Sequence, residues 1–406
     1  MVAIFSEKRI VLGVTGSIAA YKAVSLASQL TQAGALVDAV LTRSACELIS
    51  PVSFSSVTGR RAWTDDDLWQ TADHVPHIHL GEDNDLFLIA PATANTLAKL
   101  AKGISDNLLT VSALASRTPV IVAPAMDGGM YANAATQENL KTLSEREGRI
   151  LGPARGHLAS GLEGKGRMLE PEQLFGHLRN ILGQTGSLQR KKVVVTAGPT
   201  REAIDPVRFL SNPSTGRQGY ALARAALDQG ARVTLISGPC CLEPPVGSQV
   251  LRVTTAEEML EVVHREAVDA DILFMAAAVA DYQPEQTAQE KIKKEGRGLS
   301  SLSLQPTEDI LMAIADLRSG GSGPAVVVGF AAETEKLIGN AQEKLHRKKL
   351  DLIAANDITV EDAGFGGDRN QVTLLWSNGR VKKLPLQSKF KVAEQVVAEA
   401  VELLGG

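Results

Sequence analysis

The chain has 406 residues, 44% of them hydrophobic and 22% charged, with 42 basic against 46 acidic side chains and a net charge of −4. That length exceeds what one hydrophobic core fills, so two or three domains are expected, and the charge balance gives no reason to expect nucleic acid or an anionic membrane as partner. Cys46, Cys240 and Cys241 have neither disulfide-framework nor metal spacing, which fits a reducing cytoplasm. The start shows no signal-peptide pattern, and no apolar run is long enough to cross a membrane.

In chain order, RIVLGV (9–14), ALVDAVLT (35–42), DLFLIAP (85–91) and PVIVAPA (119–125) are short apolar runs that predict buried parallel strands. Helical periodicity falls between them at 17–32, 94–101 and 134–147. Such alternation predicts a doubly wound α/β sheet. The stretch GHLRNILGQTGSLQRKK (176–192) carries Gly, Ser and polar residues with little periodicity and predicts a domain boundary. The alternation restarts with KKVVVTAG (191–198), RVTLISG (232–238), DILFMAAA (271–278), AVVVGFAAE (325–333) and DLIAAND (351–357). It ends on QVTLLWS (371–377) and a helix from about 389 to 404. The expected organisation is two doubly wound, mostly parallel α/β domains, 1–180 and 190–406.

The first strand runs into GVTGSIAAYK (13–22), where Gly13 and Gly16 permit a tight turn and Thr15 and Ser17 stand at the start of a helix. Free backbone N–H groups and the helix dipole make that a phosphate site. It lacks the third glycine of the dinucleotide fingerprint, which disfavours a two-domain Rossmann oxidoreductase. A second strand end, APATANTLAKLAKGISDNLLT (90–110), places Thr93 and Asn95 where ligands of open α/β sheets sit. PAMDGGMY (124–131) follows another strand, and GHLASGLEGKGRM (156–168) is a Gly-rich loop able to close over a ligand. Met126 and Met130, taken singly, suit core filling as well as a site.

These stretches, in this order over 8–175, resemble the flavoprotein family of cysteine decarboxylases. The resemblance implies a flavodoxin-like or Rossmann-like domain with FMN at Gly16, Ser17, Thr42, Thr93 and Asn95. It also implies a histidine beside the flavin, His77 in HVPHIHLG (74–81), with His74 and His79 as competitors. An α-carboxylate next to a plain thiol has no electron sink. In the family, flavin oxidation of the carbon–sulfur unit to a thioaldehyde supplies one, and an acid later returns a proton. Met126, Asp127, Met130 and Arg167 are the implied substrate contacts. Two positions depart from the family pattern: Asp127 stands where the clamp usually has Asn, and Ser160 where the flap usually has a proton-donating Cys. A hydroxyl is a far weaker acid than a thiol.

In the second half, VTAGPTREAIDPVRFLSNPSTGRQG (195–219) places Asp205, Arg208 and Asn212 in a loop before a helix that opens at STGRQG. AAAVADY (276–282), EKIKK (290–294), PTEDIL (306–311), GFAAET (329–334), EKLHRKKLD (343–351) and AND (355–357) follow. Lysine runs are usually solvated faces, but these lie beside strand ends and Gly turns. The series is similar to phosphopantothenate–cysteine ligase over 190–403, and a decarboxylase-first fusion is the arrangement of the bifunctional bacterial enzyme of coenzyme A synthesis. The resemblance implies CTP as co-substrate at Ala277, Asp281, Lys291, Thr307, Glu308, Asp309, Ile310, Phe330, Lys344 and Lys348. Glu308 replaces a usual Pro. Magnesium is expected with the triphosphate, Asp281 being its candidate ligand. Lys291 would stabilise the transferring phosphoryl group, Asn212 would hold the acyl-cytidylate, and Arg208 would contact substrate.

The resulting expectation is a cytoplasmic bifunctional enzyme acting on 4′-phosphopantothenate, cysteine and CTP. Its assembly would be a homo-oligomer combining trimers and dimers in a dodecamer. Asp127 and Ser160 keep open a second reading, an active ligase fused to a flavin-binding domain with lost or altered decarboxylation.

Overall fold

The computed structural model describes residues 4–69, 75–158, 161–293, 301–333, 337–357 and 367–405. The chain divides between Leu182 and Gly183 into two compact units.

In the first unit, β1 (Arg9–Val14), β2 (Leu36–Leu41), β3 (Trp63–Thr64), β4 (Leu86–Ala92), β5 (Val120–Pro124) and β6 (Arg149–Ile150) form one parallel sheet. The order is β3-β2-β1-β4-β5-β6, so chain direction across the sheet reverses between β1 and β4, where doubly wound sheets place ligands. Alternate residues of β1 feed two cores. Ile10, Leu12 and Val14 pack with Leu26, Leu30, Phe54, Leu174 and Leu178, while Val11 packs with Phe87, Ile89, Leu97 and Leu109. Burial on both faces is why β1 reads as a continuous apolar run. A hairpin of β7 (Ala154–His157) and β8 (Glu163–Arg167) stands apart from the sheet.

The second unit holds an eight-stranded sheet. Its order is Gln249–Arg252, Arg232–Ser237, Lys192–Ala197, Ile272–Met275, Val326–Glu333, Leu352–Asp357, Val372–Trp376, Val381–Lys383. The first six are parallel, and Val372–Trp376 runs against them, pairing antiparallel with Leu352–Asp357 on one side and Val381–Lys383 on the other. The order reverses between Lys192–Ala197 and Ile272–Met275, giving this unit its own strand-end crevice.

Three differences from the sequence expectation have physical causes. The first helix spans Ala20–Gln32 and not 17–32, because Ser17 N donates to Thr15 O and Ala20 N to Ser17 O, holding a turn. The expected boundary stretch is helical up to Gly183: helix Pro171–Gly183 buries Leu174 and Leu178 in the first core. That i,i+4 apolar pair begins before the polar residues that dominate 176–192. Helices Pro51–Thr58, Pro76–Glu82 and Leu108–Leu114 are two turns or so each and too short for periodicity to reveal. No described helix is long and apolar enough to cross a membrane.

Candidate functional site

At the carboxyl ends of β1, β2 and β4 the loops are fastened to one another. Thr15 Oγ1 donates to Pro91 O at 2.7 Å and accepts from Thr93 N at 3.1 Å, tying the two central strands together. Thr93 caps helix Ala94–Lys102 through Thr96 N, and Thr42 accepts from Ala45 N. Gly16 lies against Ser44, where a Cβ would come within 2.6 Å, so the loop admits only glycine without moving its neighbour. Helix Ala20–Gln32 starts at Ala19 with no side-chain cap and no acidic residue in its first turn. Its first N–H groups are therefore suited to an anion. Gly16, Ser17, Thr42 and Thr93 lie at this crevice, and Asn95 is exposed in the first turn of the helix that Thr93 caps.

His77 sits on helix Pro76–Glu82 and is half-buried, with its Nδ1 buried and lacking a partner among the described residues. A buried ring nitrogen left unpaired is costly unless something else completes it. Its competitor His79 pairs with Asp83 at 3.1 Å; His74 lies outside the described residues. A capless helix start, a glycine-only loop and an unpaired imidazole nitrogen fit a phosphorylated flavin.

The clamp after β5 and the hairpin meet. Met126 N donates to Gly166 O at 3.0 Å, and a Cβ on Gly166 would lie 2.2 Å from Met126 O. Asp127 caps the short helix Gly128–Ala132, its Oδ1 accepting from Gly129 N at 2.9 Å. Asp127, Gly128, Tyr131, Leu158, Gly164 and Lys165 line an open cavity of about 570 Å³, with the Lys165 ammonium over the Tyr131 ring at 5.3 Å. Met126 is half-buried beside Tyr131 in the core, and Met130 is exposed; neither lines this cavity. Arg167 does not line it either, pairing instead with Glu170 at 2.6 Å. Ser160 lies outside the described residues.

The second unit has a cavity of about 530 Å³ at its own strand ends, lined by Asn212, Ala277, Asp281, Thr307–Ile310, Phe330, Lys344 and Lys348. Its floor is a backbone held by side chains. Thr196 Oγ1 accepts from Ala276 N and Ala277 N, both at 3.1 Å, and Thr200 Oγ1 accepts from Ala280 N at 3.0 Å. Asn212 Nδ2 donates to Ala278 O and Val279 O at 3.3 and 3.1 Å. Thr307 Oγ1 donates to Ala280 O at 2.6 Å. Asp309 caps helix Ile310–Ser319 and pairs with Lys348 at 3.1 Å. Ten sequence-derived positions thus converge on one cavity.

Lys291 and Arg208 are not in its lining. Lys291 is exposed, and Arg208 binds the Asp205 carboxylate (Nε to Oδ2, 2.9 Å) and Ile292 O (2.9 Å). The Arg208 hydrogen bond, reinforced by the backbone N–H groups of Val207, Ile292 and Arg208, holds the Asp205 carboxyl well below the usual carboxylate range.

A family model described as DNA/pantothenate metabolism flavoprotein C-terminal domain matches residues 188–404, and one described as flavoprotein matches 5–183. The coenzyme A biosynthesis bifunctional protein CoaBC of Vibrio vulnificus is 44% identical over 401 residues, 98% of each chain. The chain belongs to the CoaBC family. The Bacillus subtilis member is 42% identical over 401 residues, again 98% of each chain. A solved C-terminal domain of a coenzyme A biosynthesis bifunctional protein is 36% identical, covering 54% of this chain and 98% of that one at a TM-score of 0.46.

For this CoaBC family member, the cavity wall also contains residues that the sequence reading did not assign as ligand contacts. Gly216, Arg217, Gln218, Asn356, Asn370 and Lys389 also line it. Arg217 and Gln218 sit inside the STGRQG motif, so the signal was present. Asn370 and Lys389 are isolated in sequence and carried no signal.

Proposed function

We propose that this chain catalyses two consecutive steps of coenzyme A biosynthesis. The first is CTP-dependent joining of 4′-phosphopantothenate to cysteine through an acyl-cytidylate. The second is FMN-dependent decarboxylation of 4′-phosphopantothenoylcysteine to 4′-phosphopantetheine. The carrying observation is two α/β units, each with a cavity or crevice at its strand ends, in a chain aligned with bifunctional relatives over 98% of its length.

In the second unit, activation is needed because a carboxylate is an unreactive acyl donor. Asn212 spends its amide on Ala278 O and Val279 O, so its first role is to hold the 276–281 backbone against which the acyl-cytidylate lies. Lys344, Lys348 and the Thr307–Ile310 turn contact the nucleotide, and Asp281 takes magnesium. Lys291 acts from an adjacent segment, neutralising charge on the transferring phosphoryl group.

In the first unit, FMN is held by the Gly16–Ser17 turn, Thr42, Thr93 and Asn95, and supplies the electron sink that decarboxylation requires. The Ala20 helix start balances its phosphate charge, and His77 offers its unpaired nitrogen toward the cofactor or substrate. Asp127 and the hairpin enclose the substrate's carboxylate end. The protein works in the cytoplasm as a homo-oligomer, a dodecamer built from trimers and dimers.

The test is incubation of the purified protein with 4′-phosphopantothenate, cysteine, magnesium and either CTP or ATP. Pyrophosphate and carbon dioxide release are followed separately. CTP-dependent formation of both supports the reading; pyrophosphate without carbon dioxide leaves only the ligase, and neither product overturns it.

A further inference from the structure

Strand β8 carries two cations, Lys165 and Arg167, and of these Lys165 alone lines the first-unit cavity. Arg167 is spent on Glu170 at 2.6 Å. Lys165 makes no ion pair among the described residues and is the one basic residue in the described lining. Its ammonium stands over the Tyr131 ring, 5.3 Å from the centroid. Its backbone is fixed on both sides: Gly166 O accepts Met126 N at 3.0 Å, and a Cβ on Gly164 would lie 3.7 Å from Gly128 Cα. Tyr131 is one helical turn past Asp127, its N–H donating to Asp127 O at 2.9 Å. The lining carboxylate Glu163 faces His157 Nε2 at 3.1 Å, while Leu158, Leu162 and Ala132 make part of the wall apolar.

We propose that Lys165 binds the 4′-phosphate of the decarboxylation substrate. The proposal rests on reading this cavity as the substrate site of the first unit. That substrate has two anionic ends, a carboxylate and a phosphate, joined by an uncharged body of amides and alkyl groups that suits the apolar part of the wall. A cation fixed at the carboxylate would oppose the reaction. As carbon dioxide leaves, the electron pair passes toward the carbon–sulfur unit, so that contact would stabilise the ground state more than the transition state. The phosphate keeps its charge throughout, and a cation there binds both states alike. Position agrees with this choice. Asp127 follows closely on the end of β5, whereas the Lys165 ammonium stands by the ring a turn further on, and Lys165 is exposed. The reacting end of the substrate belongs near the strand ends, and the end that stays solvated belongs near Lys165. Lysine serves as a point charge toward phosphate, and the aromatic face already restrains its ammonium.

The discriminating measurement is titration of the flavin absorbance of the FMN-loaded full chain with 4′-phosphopantetheine and with pantetheine. The two differ only in the phosphate, and both lack the carboxylate. Wild type should prefer the phosphorylated ligand by about threefold to thirtyfold, the range between an exposed ion pair and a charge-assisted hydrogen bond. Lys165→Met should erase most of that preference and change pantetheine affinity by less than about twofold, since no charged contact is lost there. Lys165→Arg should keep it. In steady-state decarboxylation Lys165→Met should raise KM with kcat little changed, as uniform binding requires. An undiminished preference in Lys165→Met, equal weakening of both ligands, or a fall in kcat at unchanged KM overturns the proposal. Should Lys165→Met fail to fold, the wild-type preference is followed with rising ionic strength. It should shrink as salt screens the pair, and a salt-independent preference refutes it. Wild type that binds both ligands equally overturns the proposal alone. A wild-type flavin spectrum that responds to neither overturns the reading of the cavity and the proposal together.

Discussion

The Asp205 carboxylate accepts the Ile292 backbone N–H at 3.2 Å, while Arg208, bound to the same carboxylate, donates to Ile292 O at 2.9 Å. Both backbone groups of the residue after Lys291 are therefore fixed from a loop more than eighty positions away in sequence. Asp205 is 2% exposed and also accepts Val207 N and Arg208 N, at 2.9 and 2.8 Å. This makes Asp205 and Arg208 positioning residues for the Lys291 segment.

Asp205→Asn should then slow pyrophosphate release about tenfold, less than the roughly 100- to 1000-fold loss expected of Lys291→Ala. Combined with Lys291→Ala it should add almost nothing, because both act on one element. Full additivity in a rapid-quench measurement would refute the link. The pH dependence has a definite sign. A carboxyl held below its ordinary value contributes fully above that value, and its contribution is lost only as pH falls through the lowered one. Asp205 should thus keep the loop intact under mild acid, whereas in Asp205→Asn the loop should be weakened at every pH.

A second network fastens the hairpin to the flavin-side helix. Lys22, whose side chain is 6% exposed, reaches Glu170 at 2.9 Å and Met168 O at 3.3 Å, and Glu170 also receives Arg167 at 2.6 Å. The costs of breaking it are unequal, since Lys22 is buried and Glu170 is 42% exposed. Glu170→Gln leaves a buried ammonium without its carboxylate and should cost about 1–3 kcal/mol. Lys22→Met leaves a carboxylate that water can solvate and should cost less than about 1 kcal/mol. Lys22, by hydrogen bond first, lowers the Glu170 pKa. The wild type should therefore lose stability relative to Glu170→Gln as pH falls below the ordinary glutamate range. Denaturant midpoints across that range check both order and slope.

The central strands were the legible part of the fold, because they are buried on both faces and so read as unbroken apolar runs. Ile10 to Val14 and Val193 to Ala197 are examples, every residue buried. Polar edge strand Gln249–Arg252 and the short helix carrying His77 offered no such contrast. Site residues were legible where they cluster in motifs at strand ends, as Thr307–Ile310 and Lys344 with Lys348 do. Lys389, first in the terminal helix, and Asn370, on the short strand Arg369–Asn370, are brought to the cavity only by tertiary packing. Arg208 and Arg167 show the reverse: basic residues inside motifs whose charge is taken by neighbouring carboxylates, Asp205 and Glu170.

Gly166 should tolerate no side chain. A Cβ there would stand 2.2 Å from Met126 O, a backbone atom that cannot rotate aside. Gly166→Ala should displace the hairpin stem from the clamp and destabilise the first unit by about 1–3 kcal/mol, the usual cost of overpacking. Flavin retention should persist while decarboxylation falls, as the Gly16 turn is built on other strands. Loss of bound flavin with unchanged stability would contradict this.

The most discriminating prediction concerns Asp127. Its Oδ1 caps helix Gly128–Ala132 by accepting Gly129 N at 2.9 Å, and Asn caps a helix about as well as Asp. Asp127→Asn should therefore leave the melting temperature within about a degree or two, so that a change in turnover reports on the proton and not on the fold. A carboxyl facing a substrate carboxylate resists holding two negative charges, and the pair tends to keep one proton. A shared proton of that kind would let Asp127 donate to the substrate and then act as the acid that a serine hydroxyl at position 160 is too weak to be. Asp127→Asn should lower carbon dioxide release, although it installs the residue more usual at this position. Adding Ser160→Cys should restore release, making the two substitutions strongly non-additive. The measurement is a kinetic cycle of wild type, both single variants and the double variant, with melting temperatures alongside. Unimpaired turnover in Asp127→Asn, or simple additivity in the cycle, would show that the carboxyl serves only as a helix cap.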